Sequence, residues 1–258
     1  HKKLCFFIIM RLDNYLVENK YFQSRTKAQQ SIEKGEILVN NKKIIKPSFN
    51  IDESVNHKIE RIFIEDFVSL GGFKLSKALK EFNFSVKDFV CADIGASTGG
   101  FTDCLIQNGA KKVYAIDLND HLLDNRLKEN EKVFTIIKNA KNLTKKDFLE
   151  DLDFICADLS FISETIILPI ISSILPESKN AIILIKPQFE MNKKIKLKNG
   201  ILKDKKLIYS LVEKVISCAV INNLYPISIT NAPNSKEKNK EFLLLLIKGV
   251  KTNFTLNI

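Results

Sequence analysis

The sequence predicts a doubly wound, Rossmann-like α/β sheet with a small α+β domain at its N-terminal side. Three observations carry this. Over the last two thirds of the chain, short apolar runs alternate with helical patterns in a βαβ rhythm. The stretch "CADIGASTGGFTDCLIQNGAKKVYAIDLN", residues 91–119, reads as strand, glycine loop, helix and strand, and holds four of the nine glycines. The first part of the chain instead reads helix–helix–hairpin.

In chain order, "RLDNYLVENKYF" places Leu12, Tyr15, Leu16 and Asn19 at helical spacing. "SRTKAQQSIEKGE" is a second helix, with Ser24 as N-cap and Gly35 as C-cap. "ILVNNKKII" is a hairpin around an "NNKK" turn. Residues 10–58 are thus read as one small domain, 59–70 as a linker and 71–258 as the larger domain. In the last, "GGFKLSKALKEFNF" predicts a helix starting beyond its two glycines. Strands are expected at 89–93, 112–117, 133–137, 152–158, 181–186, 224–229 and 241–247. Their near-continuous apolar character means that helices cover both faces of the sheet.

The 40 basic and 30 acidic residues give a formal charge of +10, which favours a polyanionic partner. Only four of the basic residues are Arg, so Arg11 and Arg25 stand out from a general excess of Lys. Five dispersed Cys and three His have neither metal-ligand spacing nor the density of a disulfide scaffold. No metal site is expected, and the cytoplasm is the expected compartment. "KKLCFFIIM" imitates a short signal sequence but runs into the charged "RLD", so Met10 is read as the natural start. No apolar run approaches the ~18 residues of a membrane span, and no stable membrane association is expected.

In "DIGASTGGF" the glycines fall at 95, 99 and 100, which does not meet the GxGxxG spacing of dinucleotide sites. Glycines still let the backbone approach a ligand, and the helix that follows offers free amides. Asp117 closes the next strand, where an open α/β sheet places a carboxylate for ribose hydroxyls. An adenosine-containing cofactor fits, either a nicotinamide or S-adenosylmethionine. The missing glycine argues against a pyrophosphate and so favours the second.

Asp158, Lys186 and Glu241 fall at strand ends, where such sheets do their chemistry, and Lys74 follows Gly71-Gly72. A lysine closing an apolar strand is costly unless it is paired or useful. Taken singly, Lys74 and Glu241 read as solvated charges.

These blocks together resemble a known family. "RLDNYL…SRTKAQQSIEKGEILVNNKKIIKPS" is similar to the small RNA-binding domain named after ribosomal protein S-four. "GGFKL", "DIGASTGGFTDCLIQNGAKKVYAIDL", "ADLSFIS", "LIKPQFE", "KNGILKD" and "NKEFLLLL" follow in the order of the TlyA, or haemolysin A, family. The resemblance implies an FtsJ-like rRNA 2′-O-methyltransferase that uses S-adenosylmethionine on a cytidine. It implies a catalytic tetrad of Lys74, Asp158, Lys186 and Glu241. It also implies cofactor binding by Asp93, Gly95, Ala96, Ser97, Thr98, Gly99 and Asp117, with Asp158 at the same site. Two stretches depart from the family pattern, Ser69-Leu70-Gly71-Gly72 and "NDHLLDNRL" after Asp117.

Methyl transfer to a ribose hydroxyl needs in-line geometry and a proton acceptor. A lysine can serve when desolvation and a second cation favour its neutral form, and Lys186 with Lys74 beside it has that setting. Contacts to ribosomal RNA or a ribosomal subunit are expected from Arg11, Arg25, Lys27, Lys34 and Lys42 in the small domain. More are expected from Lys193, Lys194, Lys196 and Lys198, in a 186–206 segment with eight Lys against Glu190 and Asp204. The rival readings are a membrane-lytic protein, a non-catalytic ribosome-binding module and a nicotinamide oxidoreductase.

Overall fold

The computed structural model describes residues 9–22, 24–33, 35–61, 67–191, 197, 200–233 and 238–258. The chain forms two compact units, residues 1–66 and 67–258. The expected contacts Lys34, Lys193, Lys194, Lys196 and Lys198 lie outside the described residues.

In the first unit, β1 (Ile9–Arg11) runs into α1 (Leu12–Glu18), followed by α2 (Arg25–Glu33). A hairpin of β2 (Ile37–Val39) and β3 (Lys42–Ile44) comes next, then β4 (Asn50–Asp52) and β5 (Ile59–Arg61). The hairpin turn is Asn40-Asn41, both at positive φ (50° and 64°), the backbone a two-residue hairpin needs and asparagine tolerates. Leu12, Leu16, Ala28, Ile32, Ile37 and Ile51 close a small core. Two strand pairings go beyond the sequence reading. Met10 pairs with Ile51, and β5 pairs with β2 as Leu38 with Glu60. Residues 59–61, expected as linker, are therefore part of a three-stranded sheet.

The second unit opens with α3 (Leu70–Glu81) and then alternates: β6 (Val90–Ile94), α4 (Gly100–Gln107), β7 (Lys112–Asp117), α5 (Asn125–Lys128), β8 (Val133–Ile137) and β9 (Phe154–Ala157). It continues with α6 (Glu164–Ile174), β10 (Asn180–Ile185), α7 (Pro187–Glu190), α8 (Lys205–Ile221), β11 (Leu224–Asn231) and β12 (Phe242–Lys248). The seven strands stand in the order β8-β7-β6-β9-β10-β12-β11. All are parallel except β12, which runs antiparallel to both β10 and β11. Ile94, Ile116, Ala157, Ile183 and Leu244 pack on the face covered by α6 and α8. Val113, Phe154, Cys156, Ile182 and Leu243 pack on the face of α3 and α4. The doubly wound reading thus holds, with the central strands supplying both faces.

Inside α6, Pro169 cannot donate to the Thr165 carbonyl, and the Cys218 thiol from α8 supplies that donor instead (3.6 Å). α3 differs from expectation: its two glycines lie inside its first turn, not before it. The reason is the approach of α4. A Cβ on Gly100 would lie 2.8 Å from the Gly72 nitrogen and 3.0 Å from the Gly71 Cα, and one on Gly72 would overlap the Phe67 ring. Backbone meets backbone here, which sets the helix bearing Lys74 against the glycine loop.

Gly100→Ala forces these two helices apart. We expect it to destabilise the second unit by about 1–3 kcal/mol, the usual cost of overpacking, in chemical denaturation. An unchanged midpoint would mean that the crossing tolerates a side chain.

Candidate active site

The glycine loop begins where β6 ends. Gly95 (φ +87°) takes the chain over the β9 end so closely that a Cβ would sit 2.7 Å from the Asp158 carbonyl oxygen. The Gly95 and Ala96 amides both donate to Ile116 O (2.9 and 3.0 Å), tying the loop to β7. Asp117 then grips the loop tip: Oδ2 accepts from the Ser97 amide (2.8 Å) and Oδ1 from the Leu118 amide (2.6 Å). Thr98 O accepts from the Asp124 amide (3.3 Å), and Gly99 (φ +92°) caps α4.

A cleft of ≈ 250 Å³ lies over these strand ends, between Gly95, Ser97, Asp117, Leu118, Asn139 and Asp158. A neighbouring recess of ≈ 150 Å³ shares Gly95, Ser97, Asp158 and Ser160, and adds Ala96, Thr98 and Lys186. Each Asp117 oxygen spends one lone pair on a backbone amide, which leaves acceptor capacity for a diol. A carboxylate at one end of the cleft and a cationic group at the other suit an elongated nucleoside with a reactive end. A larger cavity of ≈ 410 Å³ lies between α8 and β12, edged by Lys205, Lys206, Tyr209 and Lys240. Among the described residues its lining has no Asp or Glu side chain and no part of the glycine loop, and so it is not the candidate.

The four expected catalytic residues form two ion pairs. Lys186 Nζ lies 2.5 Å from Asp158 Oδ1, and Lys74 Nζ lies 2.6 Å from Glu241 Oε2. The Lys186 ammonium makes its hydrogen bonds with Leu159 O (3.0 Å) and Ser160 Oγ (3.1 Å), so Asp158 acts on it by charge rather than by an aligned bond. Lys186 is 7 % exposed. The ladder brings the two pairs together: β10 and β12 end on the Ile185–Phe242 pairing, and Lys186 and Glu241 are the next residue on each strand. Lys74 reaches Glu241 from α3.

Asp93 departs from the expected role. It is fully buried below the loop, where Oδ2 accepts the Thr102 amide (2.9 Å) and hydroxyl (2.7 Å). It lines neither recess. Its work is to hold the first turn of α4, and one of the amides expected to be free there is already taken. Burial pushes its carboxyl up to about 7, against the pull of the Thr102 hydrogen bonds.

A second buried acid was not anticipated. Glu164 opens α6 at 2 % exposure, with its amide bonded to Glu190 Oε1 (2.8 Å). Burial, then Glu190 and Asp158, holds Glu164 well above the usual carboxylate range. Glu190 also accepts the Ser163 hydroxyl, joining the "ADLSFIS" block to "KPQFE". The signal was present in both blocks, but only the fold shows that they touch.

In the small unit, Arg11 and Arg25 do not simply face solvent. Arg11 Nη2 (2.8 Å), Arg25 Nε (3.0 Å) and Gln29 Nε2 (2.7 Å) converge on Asp13 Oδ2. The hydrogen bond from Arg11 leads in holding the Asp13 carboxyl well below its ordinary range. Both guanidinium groups keep an exposed side, and Lys27 and Lys42 are exposed. The Asp13 anchor, two residues after Arg11 in "RLD", was legible but unread.

Asp93 makes stability depend on pH. Its folded form holds a proton that the unfolded chain releases near pH ~4, so its contribution is complete below that and is lost as pH rises through about 7. Asp93→Asn should remove this slope between pH ~4 and ~7 in urea titrations. Parallel profiles for the two proteins would show that Asp93 is charged throughout.

The chain is similar to known proteins over both units. The FtsJ-like methyltransferase family matches residues 67–248, and the S4 domain matches residues 10–56. Hemolysin A of Brachyspira hyodysenteriae is 41 % identical over 215 residues, covering 81 % of this chain and 89 % of that protein. The 23S rRNA (cytidine-2′-O)-methyltransferase TlyA of Campylobacter jejuni is 33 % identical, covering 93 % of this chain and all of the relative. A solved Streptococcus thermophilus structure carrying the hemolysin name superposes with a TM-score of 0.69 at 33 % identity, over 95 % of this chain and 90 % of that one. The chain therefore belongs to the FtsJ-like methyltransferase family, in its TlyA/hemolysin A group, with an S4 domain at its N-terminal side.

Proposed function

We propose that the protein is an S-adenosylmethionine-dependent rRNA methyltransferase that modifies a ribose 2′-hydroxyl, with a cytidine as the target. The observation that carries this reading is the pairing of Lys186 with Asp158 and Lys74 with Glu241 beside the glycine-loop cleft. A nicotinamide enzyme would need pyrophosphate contacts that glycines at 95, 99 and 100 do not offer, and a binding module has no need of the four charged residues together. Among the described residues, no helix is long and apolar enough to cross a membrane.

The cofactor supplies an electrophilic methyl group. The chain's residues supply placement: Asp117 takes the two ribose hydroxyls, Gly95 and Ser97 line the middle of the cleft, and Asp158 closes it toward the reacting end. Lys186, as the neutral amine, would accept the O2′ proton of the ribose that receives the methyl group. Asp158 then faces the resulting ammonium, so charge developing in the transition state meets a carboxylate already in place. Lys74, neutralised by Glu241, orients the substrate ribose without adding a net charge. RNA is held by the exposed faces of Arg11 and Arg25, by Lys27 and Lys42, and by the lysines at the mouth of the α8 cavity.

Two measurements test this. Asp117→Ala should weaken S-adenosylmethionine binding roughly tenfold to hundredfold in calorimetry, since hydrogen bonds to a charged group are worth ~1.5–3 kcal/mol. Unchanged affinity would place the ribose elsewhere. Lys186→Ala should abolish methyl transfer with cofactor and RNA affinities intact, and Lys186→Arg should not restore it, because guanidinium stays protonated. An active Lys186→Arg protein would make Lys186 a phosphate clamp rather than the base.

A further inference from the structure

The partners of Lys186 are of two chemical kinds. Nζ meets three oxygens, Asp158 Oδ1, Leu159 O and Ser160 Oγ, all on one turn after β9. An ammonium group has three N–H bonds to offer them. A neutral amine has two N–H bonds and one lone pair. A carboxylate and a peptide carbonyl can only accept, so neither can face the lone pair. A hydroxyl can accept or donate, so Ser160 is the one partner able to reverse its hydrogen bond and face the lone pair. Its position matters too. Lys186 is nearly buried, whereas Ser160 is exposed and lines both recesses of the cleft. The side of Nζ that meets Ser160 is thus a side open to substrate. The next residue, Phe161, has φ +66°, a conformation disfavoured for a bulky side chain.

We propose that Ser160 is a positioning residue for Lys186: its hydroxyl donates to the lone pair of the neutral amine and keeps that lone pair directed into the cleft until a ribose hydroxyl takes its place. The O2′ proton then passes to Nζ, and Ser160 returns to accepting from the ammonium that forms. This rests on Lys186 being the base, and it adds a hydroxyl to the four charged groups of the site.

The test uses the full chain with S-adenosylmethionine and unmodified rRNA, and compares Ser160→Ala, Ser160→Thr and Lys186→Ala. Ser160→Ala should lower kcat about tenfold to hundredfold, the scale of a misdirected reacting group, with KM for RNA and Kd for the cofactor unchanged. Ser160→Thr keeps the hydroxyl and should recover most of the rate, which a loss of packing or of fold would not allow. Ser160→Ala at the wild-type rate, beside an inactive Lys186→Ala, overturns the inference alone. A fully active Lys186→Ala overturns both this inference and the base on which it rests. A loss that threonine does not restore, or one that appears in cofactor affinity, assigns Ser160 to binding or packing and also overturns it.

Discussion

A lysine ammonium placed almost out of water is the constraint around which the second unit is arranged. Lys186 ends a strand of apolar residues and is 7 % exposed, a costly position for a charge without compensation. The compensation comes from one turn, which supplies a carboxylate, a carbonyl and a hydroxyl to the same nitrogen. That turn must lie close under the glycine loop, and only a residue without Cβ permits the approach at Gly95. The need to hold Lys186 therefore shapes the loop that forms the cleft, so the cofactor end and the reacting end are built together.

The reversed strand β12 is the second device. Its antiparallel course puts the start of one strand beside the end of another, so Glu241 arrives next to Lys186 from far away in the chain. The glycine crossing of α3 over α4 brings Lys74 to the same place from the other direction. Each cation carries its own anion. The site can therefore hold two positive groups near a positively charged sulfonium without a large net repulsion.

Much of this was legible because burial on both faces leaves central strands as unbroken apolar runs, and Lys112–Asp117 falls where the sequence puts it; Val133–Ile137, a half-exposed edge strand, was legible from its apolar run alone. The Asn40-Asn41 turn was legible because few residues adopt its backbone. The three-residue strands at Ile9–Arg11 and Ile59–Arg61 were not, since pairing rather than composition defines them. Nor was the start of α3, because the gain at Gly71-Gly72 lies in contact with a distant helix. In the site, residue types at strand ends revealed the charged groups. Sequence could not show that Asp93 turns inward to Thr102, or that Arg11 and Arg25 share Asp13, since such partners are chosen by packing. Ser160 was hidden for another reason: a serine has no charge to draw attention, and its part depends on which oxygens surround one nitrogen.

The central claim is that this site delivers a methyl group to a ribose oxygen. The most direct measurement is to incubate the purified protein with isotope-labelled S-adenosylmethionine and rRNA lacking modification, digest the RNA to nucleosides, and locate the label by mass spectrometry. A ribose methyltransferase of this kind leaves label on the ribose of a single cytidine, as 2′-O-methylcytidine. Label on a base, or none on RNA despite cofactor binding, would contradict it.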